Sequence, residues 1–143
     1  MTAFDRASLL LAARRHPLAH ATAAGLDRAR VPDGASVAVA VSGGADSMAA
    51  LALLAGLAER GRVRVAAVLH IDHGLREGSA LDAALVEDVA RGLALDADVR
   101  RLALAPGSGV AARARDGRYL ALAEMASARG VATVITAHHA DDQ

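Results

Sequence analysis

Apolar, β-branched runs alternate with helix-patterned stretches along most of this chain. Ser36–Val41 (SVAVAV) precedes a helical stretch at Met48–Arg60, and Val63–Ile71 (VRVAAVLHI) precedes another at Ser79–Leu93. Val99–Leu104, the loop Pro106–Gly109, a helix at Val110–Arg129 and a fourth run, Val131–Ala137 (VATVITA), complete the series. Apolar strands separated by helices predict an α/β fold, a doubly wound parallel sheet covered on both faces. In the second helix Leu81, Leu85, Val89 and Leu93 recur at every fourth position. Ahead of the alternation, residues 2–30 read as helical, with Leu9, Leu10, Leu18 and Leu26 as a loose apolar face and Pro17 as a break or kink. Val31-Pro32-Asp33-Gly34 is turn chemistry. The expected division is an N-terminal helical segment, 1–32, and a main domain, 33–143.

At 143 residues the chain holds one domain. It contains 38 Ala against 19 Leu and 13 Val. Alanine buries little area, so the core must come from close packing of Ala-rich helices on Leu/Val strands. Cysteine is absent, which excludes disulfides, thiolate metal sites and a catalytic thiol. All 16 Lys+Arg residues are Arg. A phosphate loop of the Walker type and Schiff-base catalysis both need a lysine, so both are excluded, and lysine chemistry here would use lysine as substrate. Formal net charge is zero, so no global field gathers nucleic acid. The longest apolar stretch, Met48–Ala58, falls short of the about 20 residues a bilayer requires. The N-terminus lacks the order of a secretory signal. The expectation is a cytoplasmic protein with no membrane partner.

Ligands of doubly wound sheets sit at the carboxyl ends of strands, near the point where strand order reverses. The first run ends there in Ser42-Gly43-Gly44-Ala45-Asp46-Ser47 and a helix follows at once. Two glycines let the backbone turn tightly and approach a ligand. Outward amides at a helix start favour an anion, and Ser42 and Ser47 add hydroxyls. Asp46 would repel phosphate unless a divalent cation bridges the two, or unless it caps the helix. The plainer alternative is an ordinary N-cap with glycines for the turn.

The second run leads into His70-Ile71-Asp72-His73-Gly74-Leu75-Arg76, and the fourth into His138-His139-Ala140-Asp141-Asp142-Gln143. If the fourth strand lies beside the first, its loop faces the Gly-Gly loop. These imidazoles and carboxylates could serve a two-metal hydrolase, or could orient a nucleotide, its magnesium and a nucleophile; the plainest alternative is solvated loop polarity. Arg113, Arg115 and Arg118 fall at the start of one helix, and Arg115 and Arg118, three apart, share a face. They could bind a phosphate or carboxylate bidentately, or form a solvated salt-bridged face.

The hexapeptide S-G-G-A-D-S resembles the pyrophosphate loop of the N-type ATP pyrophosphatases. H-I-D-H-G-L-R, then A-R-D-G-R-Y at Ala114–Tyr119, then T-A-H-H-A-D-D-Q at Thr136–Gln143, in that order, resemble the tRNA(Ile)-lysidine synthetase family, over about Ser36–Gln143. The resemblance implies an adenine nucleotide alpha hydrolase-like fold, truncated at the C-terminus. It implies ATP and Mg2+ as cofactors, bound at Ser42, Gly43, Gly44, Ala45, Asp46 and Ser47, with Asp46 on the metal. It implies Asp46, Arg115, Arg118, His138 and Asp142 as catalytic residues, His139 and Asp141 being exchangeable with the last two. The implied partners are free L-lysine and tRNA-Ile with a CAU anticodon. The implied reaction is adenylation of the wobble cytidine at C2, then displacement of AMP by lysine.

Two features depart from that pattern. Relatives often carry Glu where this chain has Ala111 or Ala112. Gly117 sits inside the helix, at about 1 kcal/mol against Ala. The family continues beyond the position of Gln143, so the fourth strand is expected to be an aggregation-prone edge. The alternatives are a metal-dependent phosphohydrolase built on the His/Asp clusters, and a truncated nucleotide-binding remnant without activity.

Overall fold

The computed structural model describes residues 5–72, 74, 78–102 and 107–136. Two short helices come first, α1 (Arg6–Arg15) and α2 (Pro17–Arg28). Asp5 caps α1 by accepting from the Ser8 amide at 3.0 Å. His16 is extended between the helices, and Pro17 takes the first position of α2, where its missing N–H costs nothing. The predicted helical segment with a break at Pro17 is thus two capped helices.

The alternating elements follow: β1 (Ala35–Ala40), α3 (Ala45–Glu59), β2 (Val63–Asp72), α4 (Ser79–Gly92), β3 (Ala97–Arg101), α5 (Val110–Ala128) and β4 (Thr133–Thr136). The strands are parallel, in the order β3-β2-β1-β4. From β1 the chain winds outward through β2 to β3, then returns across the sheet to place β4 on the other side of β1. The order therefore reverses between β1 and β4, as a doubly wound sheet requires.

Each face has its own core. Val37, Val39 and Val41 of the β1 segment, with Val63, Val65 and Val68 of β2, meet Leu51 and Leu54 of α3 and Val86 and Ala90 of α4. Leu10 of α1 and Leu26 of α2 join this same core from behind α3. On the opposite face Ala38, Ala67, Leu69 and Ile71 pack against Ala121, Leu122, Met125 and Ala126 of α5. A register shift between Val37 and Ala38 brings this about: Val37 pairs with Val65, but Ala38 pairs with Ala67. The extra residue, Ala66, flips the phase of β2, so Val65 and Val68 face one core while Ala67 and Leu69 face the other.

Several boundaries differ from the sequence reading. Helix α3 begins at Ala45 rather than Met48, because Gly44 is its N-cap. Strand β3 begins at Ala97, where it pairs with Val68, two residues ahead of the expected Val99. In α4 the buried line is Val86, Ala90 and Leu93, while Leu81 and Leu85 are 75% and 46% exposed. Gly117 stands where α5 crosses Leu102: an added Cβ would lie 2.9 Å from Leu102 Cδ2. Its low helix propensity is thus set against a close approach that a larger residue would obstruct.

Candidate functional site

β1 ends at Ala40, the buried Val41 follows it at the carboxyl end of the sheet, and Ser42–Ser47 comes next. Gly43 has φ +93°, a left-handed conformation that glycine adopts without strain. A Cβ there would sit 3.1 Å from Asp82 Cβ, so the loop passes close beneath the first turn of α4. Gly44 then caps α3 with φ −75° and ψ 163°, and as a glycine it makes no side-chain cap bond. The N-cap residue thus brings no side chain to the first-turn amides at Ala45, Asp46 and Ser47, where the positive end of the helix dipole lies. That is an arrangement suited to phosphate oxygens.

The loop carries its own bracing. The Ser42 amide donates to Ser47 Oγ at 3.1 Å, the two hydroxyls lie 3.0 Å apart, and the Gly44 amide donates to Ser42 Oγ at 3.2 Å. Ser47 Oγ donates in turn to the Gly44 carbonyl at 3.1 Å. Ser47 is 4% exposed, so its hydroxyl faces the loop's interior, whereas Ser42, Gly44, Ala45 and Asp46 are exposed. Asp46 lies in the first turn of α3, an oxygen donor of the kind a hard divalent cation takes.

The expected second cluster divides. His70, Ile71 and Asp72 belong to β2 itself, not to the loop after it. His70 is 4% exposed, and its Nδ1 lies 2.6 Å from the Val41 carbonyl. Asp72 is half-buried at the strand end. Burial works against its charged form. Hydrogen bonds from the Ser79 hydroxyl and the Gly74 amide (3.0 Å), with Arg101 and His70 nearby, outweigh that and hold the carboxyl below its ordinary range. His73, His138, His139, Asp141 and Asp142 lie outside the described residues.

β4 pairs with β1 from Val37↔Thr133 to Ala40↔Thr136, so the chain leaves β4 at the same sheet end as Ser42–Ser47. Helix α5 starts at this end too, since it follows the carboxyl end of β3 and runs back to the start of β4. Arg113, Arg115 and Arg118 are in its first half. Arg115 is exposed; Arg118 is half-buried, with its guanidinium carbon 5.2 Å from the Tyr119 ring centroid. One participant escapes the sequence reading: Asp82 is remote in sequence from the glycine it covers, and no local pattern marks it. His70, expected in the loop cluster, lies buried within β2 instead.

The molecule is an α/β domain with a glycine turn at the switch point of a parallel sheet, the place at which such sheets take ligands. A family model described as a PP-loop domain matches residues 18–143, and the chain belongs to that family. It is 46% identical over 107 residues to the tRNA(Ile)-lysidine synthase of Novosphingobium aromaticivorans, covering 75% of this chain and 32% of that protein. It is 47% identical over 116 residues to the enzyme of that name from Salinispora tropica (79% and 34%). With the one from Bordetella bronchiseptica the figures are 41% over 135 residues (92% and 37%). The chain thus spans about a third of the length of the curated relatives it matches. Among the described residues no helix is long and apolar enough to cross a membrane.

Proposed function

We propose that this chain is the nucleotide-binding segment of a cytoplasmic carbon–nitrogen ligase that uses ATP to join free L-lysine to the wobble cytidine of tRNA-Ile with a CAU anticodon. The observation that carries the reading is the Gly43–Gly44 turn leading straight into the first turn of α3, with a glycine as its N-cap, in a chain that belongs to the PP-loop family. The names of its relatives supply the substrate class. We assign the main unit to 33–143 and treat 1–32 as a helical addition that lends Leu10 and Leu26 to the core.

In this reading the amides of Ala45 to Ser47 hold the phosphates of ATP, and the Ser42–Ser47 hydroxyl pair keeps the turn in shape. Asp46 would hold magnesium, which when bound offsets phosphate charge. The cytidine C2 oxygen attacks the α-phosphorus and pyrophosphate leaves. Arg118, with Arg115 beside it, stabilises the charge that develops on phosphate or on the bound base. The ε-amine of lysine then attacks C2, loses a proton and expels AMP, which leaves lysidine. Asp142 orients or deprotonates that amine and His138 assists. The test is transfer of labelled lysine to a CAU transcript by the protein that carries this segment. We expect ATP-dependent labelling with pyrophosphate release. ATP binding without any lysine transfer would overturn the ligase assignment and leave the phosphate loop standing.

A further inference from the structure

The reaction just described gives no role to His70, although it is buried and bonded to the residue before the phosphate loop. We propose that His70 is a positioning residue for that loop: by donating its Nδ1–H to the Val41 carbonyl it fixes where β1 hands over to Ser42. The inference rests on reading Ser42–Ser47 as a nucleotide site and adds to it the part that holds the site in place.

Both polar groups of Val41 are held by consecutive residues of β2. Its amide donates to the Leu69 carbonyl at 2.8 Å, and its carbonyl accepts from His70 Nδ1 at 2.6 Å. A carbonyl can only accept, so Nδ1 carries the proton, and in the neutral ring Nε2 carries the lone pair. Val41 is 2% exposed, so no bulk water stands ready to replace this donor. Beyond Val41 the side-chain hydrogen bonds of Ser42 and Ser47 among the described residues are made within the loop, Ser42 on Ser47 and Ser47 on Gly44. Those bonds set the shape of the loop. They do not set where it stands relative to the sheet. The Val41 bonds and the packing of α3 do that, and the His70 bond is the one made by a side chain. Losing it would let an intact loop pivot about Val41, with phosphate affinity falling while the domain stays folded.

Two side chains separate this role from the others a buried histidine can play. Asparagine places an N–H donor where Nδ1 stands, and glutamine places one near Nε2. The experiment measures the ATP dissociation constant and the thermal midpoint of the full chain as wild type, His70→Asn and His70→Gln. It also reads the ring tautomer of the wild type by 15N NMR. We expect His70→Asn to bind ATP within about twofold of wild type, and His70→Gln to bind about tenfold more weakly at a similar midpoint. We expect the NMR spectrum to report protonated Nδ1. Equal affinities in both variants would overturn the proposal. So would the reverse order, which would mean contact through Nε2, or an Nε2–H tautomer. If the wild type binds no ATP, the nucleotide reading fails instead. The anchoring is then read from hydrogen exchange at the Ser42 and Gly44 amides, where faster exchange in His70→Gln than in His70→Asn supports it and equal exchange refutes it. If both variants fail to fold, the wild-type tautomer still decides.

Discussion

The two faces of this sheet are built on different scales. One is a Val and Leu face under α3 and α4, deepened by α1 and α2, which reach the same core through Leu10 and Leu26. The other is thinner, Ala38 and Ala67 with Leu69 and Ile71, and α5 lies on it with Ala121, Leu122, Met125 and Ala126. On the deep face Val and Leu side chains bury area; on the thin face Ala38 and Ala67 leave room for α5 beside Leu69 and Ile71. The phosphate loop follows from the deep face: Val37, Val39 and Val41 run up to Ser42, and Leu51 and Leu54 seat the helix that the loop caps. The arginines that the proposed reaction needs ride on the thin face. The difference assigns the site's anchoring to one side and its charged complement to the other.

The sharpest way to break this comparison is to hollow the deep face. Leu54 is 1% exposed and belongs to that core. Leu54→Ala removes its contacts and leaves a cavity, at a cost of about 2–5 kcal/mol. Denaturant unfolding should show that loss as a lower midpoint. If the loss were under about 1 kcal/mol, α3 would not be the seat of the loop. The thin face predicts the opposite sensitivity. Ala67 is fully buried at 0%, and Ala67→Leu should destabilise by about 1–3 kcal/mol through overpacking beneath α5. A neutral result would mean that α5 rides farther from the sheet than close packing requires.

The strand and helix alternation was legible because apolar runs and helical periods differ over whole segments. The loop was legible because Gly43, Gly44 and the residues that brace it lie within a hexapeptide, so local chemistry decides its shape. Legibility failed where geometry outran pattern. A stripe at every fourth residue drifts about 40° per step on a 3.6-residue helix. Leu81 and Leu93 are therefore about 120° apart, and only the later part of the stripe reaches the core. The bulge at Ala66 lies in a run apolar on both faces, where alternation carries no phase. Asp82 over Gly43 is a contact between elements far apart in sequence. Gly117 read as a weakness because the partner that explains it, Leu102, comes from across the fold.

The smallest effect lies where the two faces share a tether. The Asp72 side chain is bonded to Ser79 at the start of α4, on the deep face. Its carbonyl accepts from the Leu102 amide at 2.8 Å, and the Leu102 side chain packs under α5 on the thin face. The carboxyl is held below its ordinary range although burial opposes it, because the Ser79 and Gly74 hydrogen bonds, Arg101 and His70 favour the charged form. A folded-state pKa below the unfolded value gives stability that is present above about pH 4. That stability is lost as pH falls through the lower folded value. Wild type should therefore lose its margin over Asp72→Asn on acidification from pH 6, and the loss should show first as faster amide exchange at the start of α4, not in α5. Of the two helices, the described side-chain bonds reach α4, through Ser79, while the Leu102 bond is made by backbone and does not titrate. Equal loosening of α4 and α5 would mean that the tether couples both faces through the carboxylate, and a margin that grows on acidification would reverse the sign of the charge effect itself.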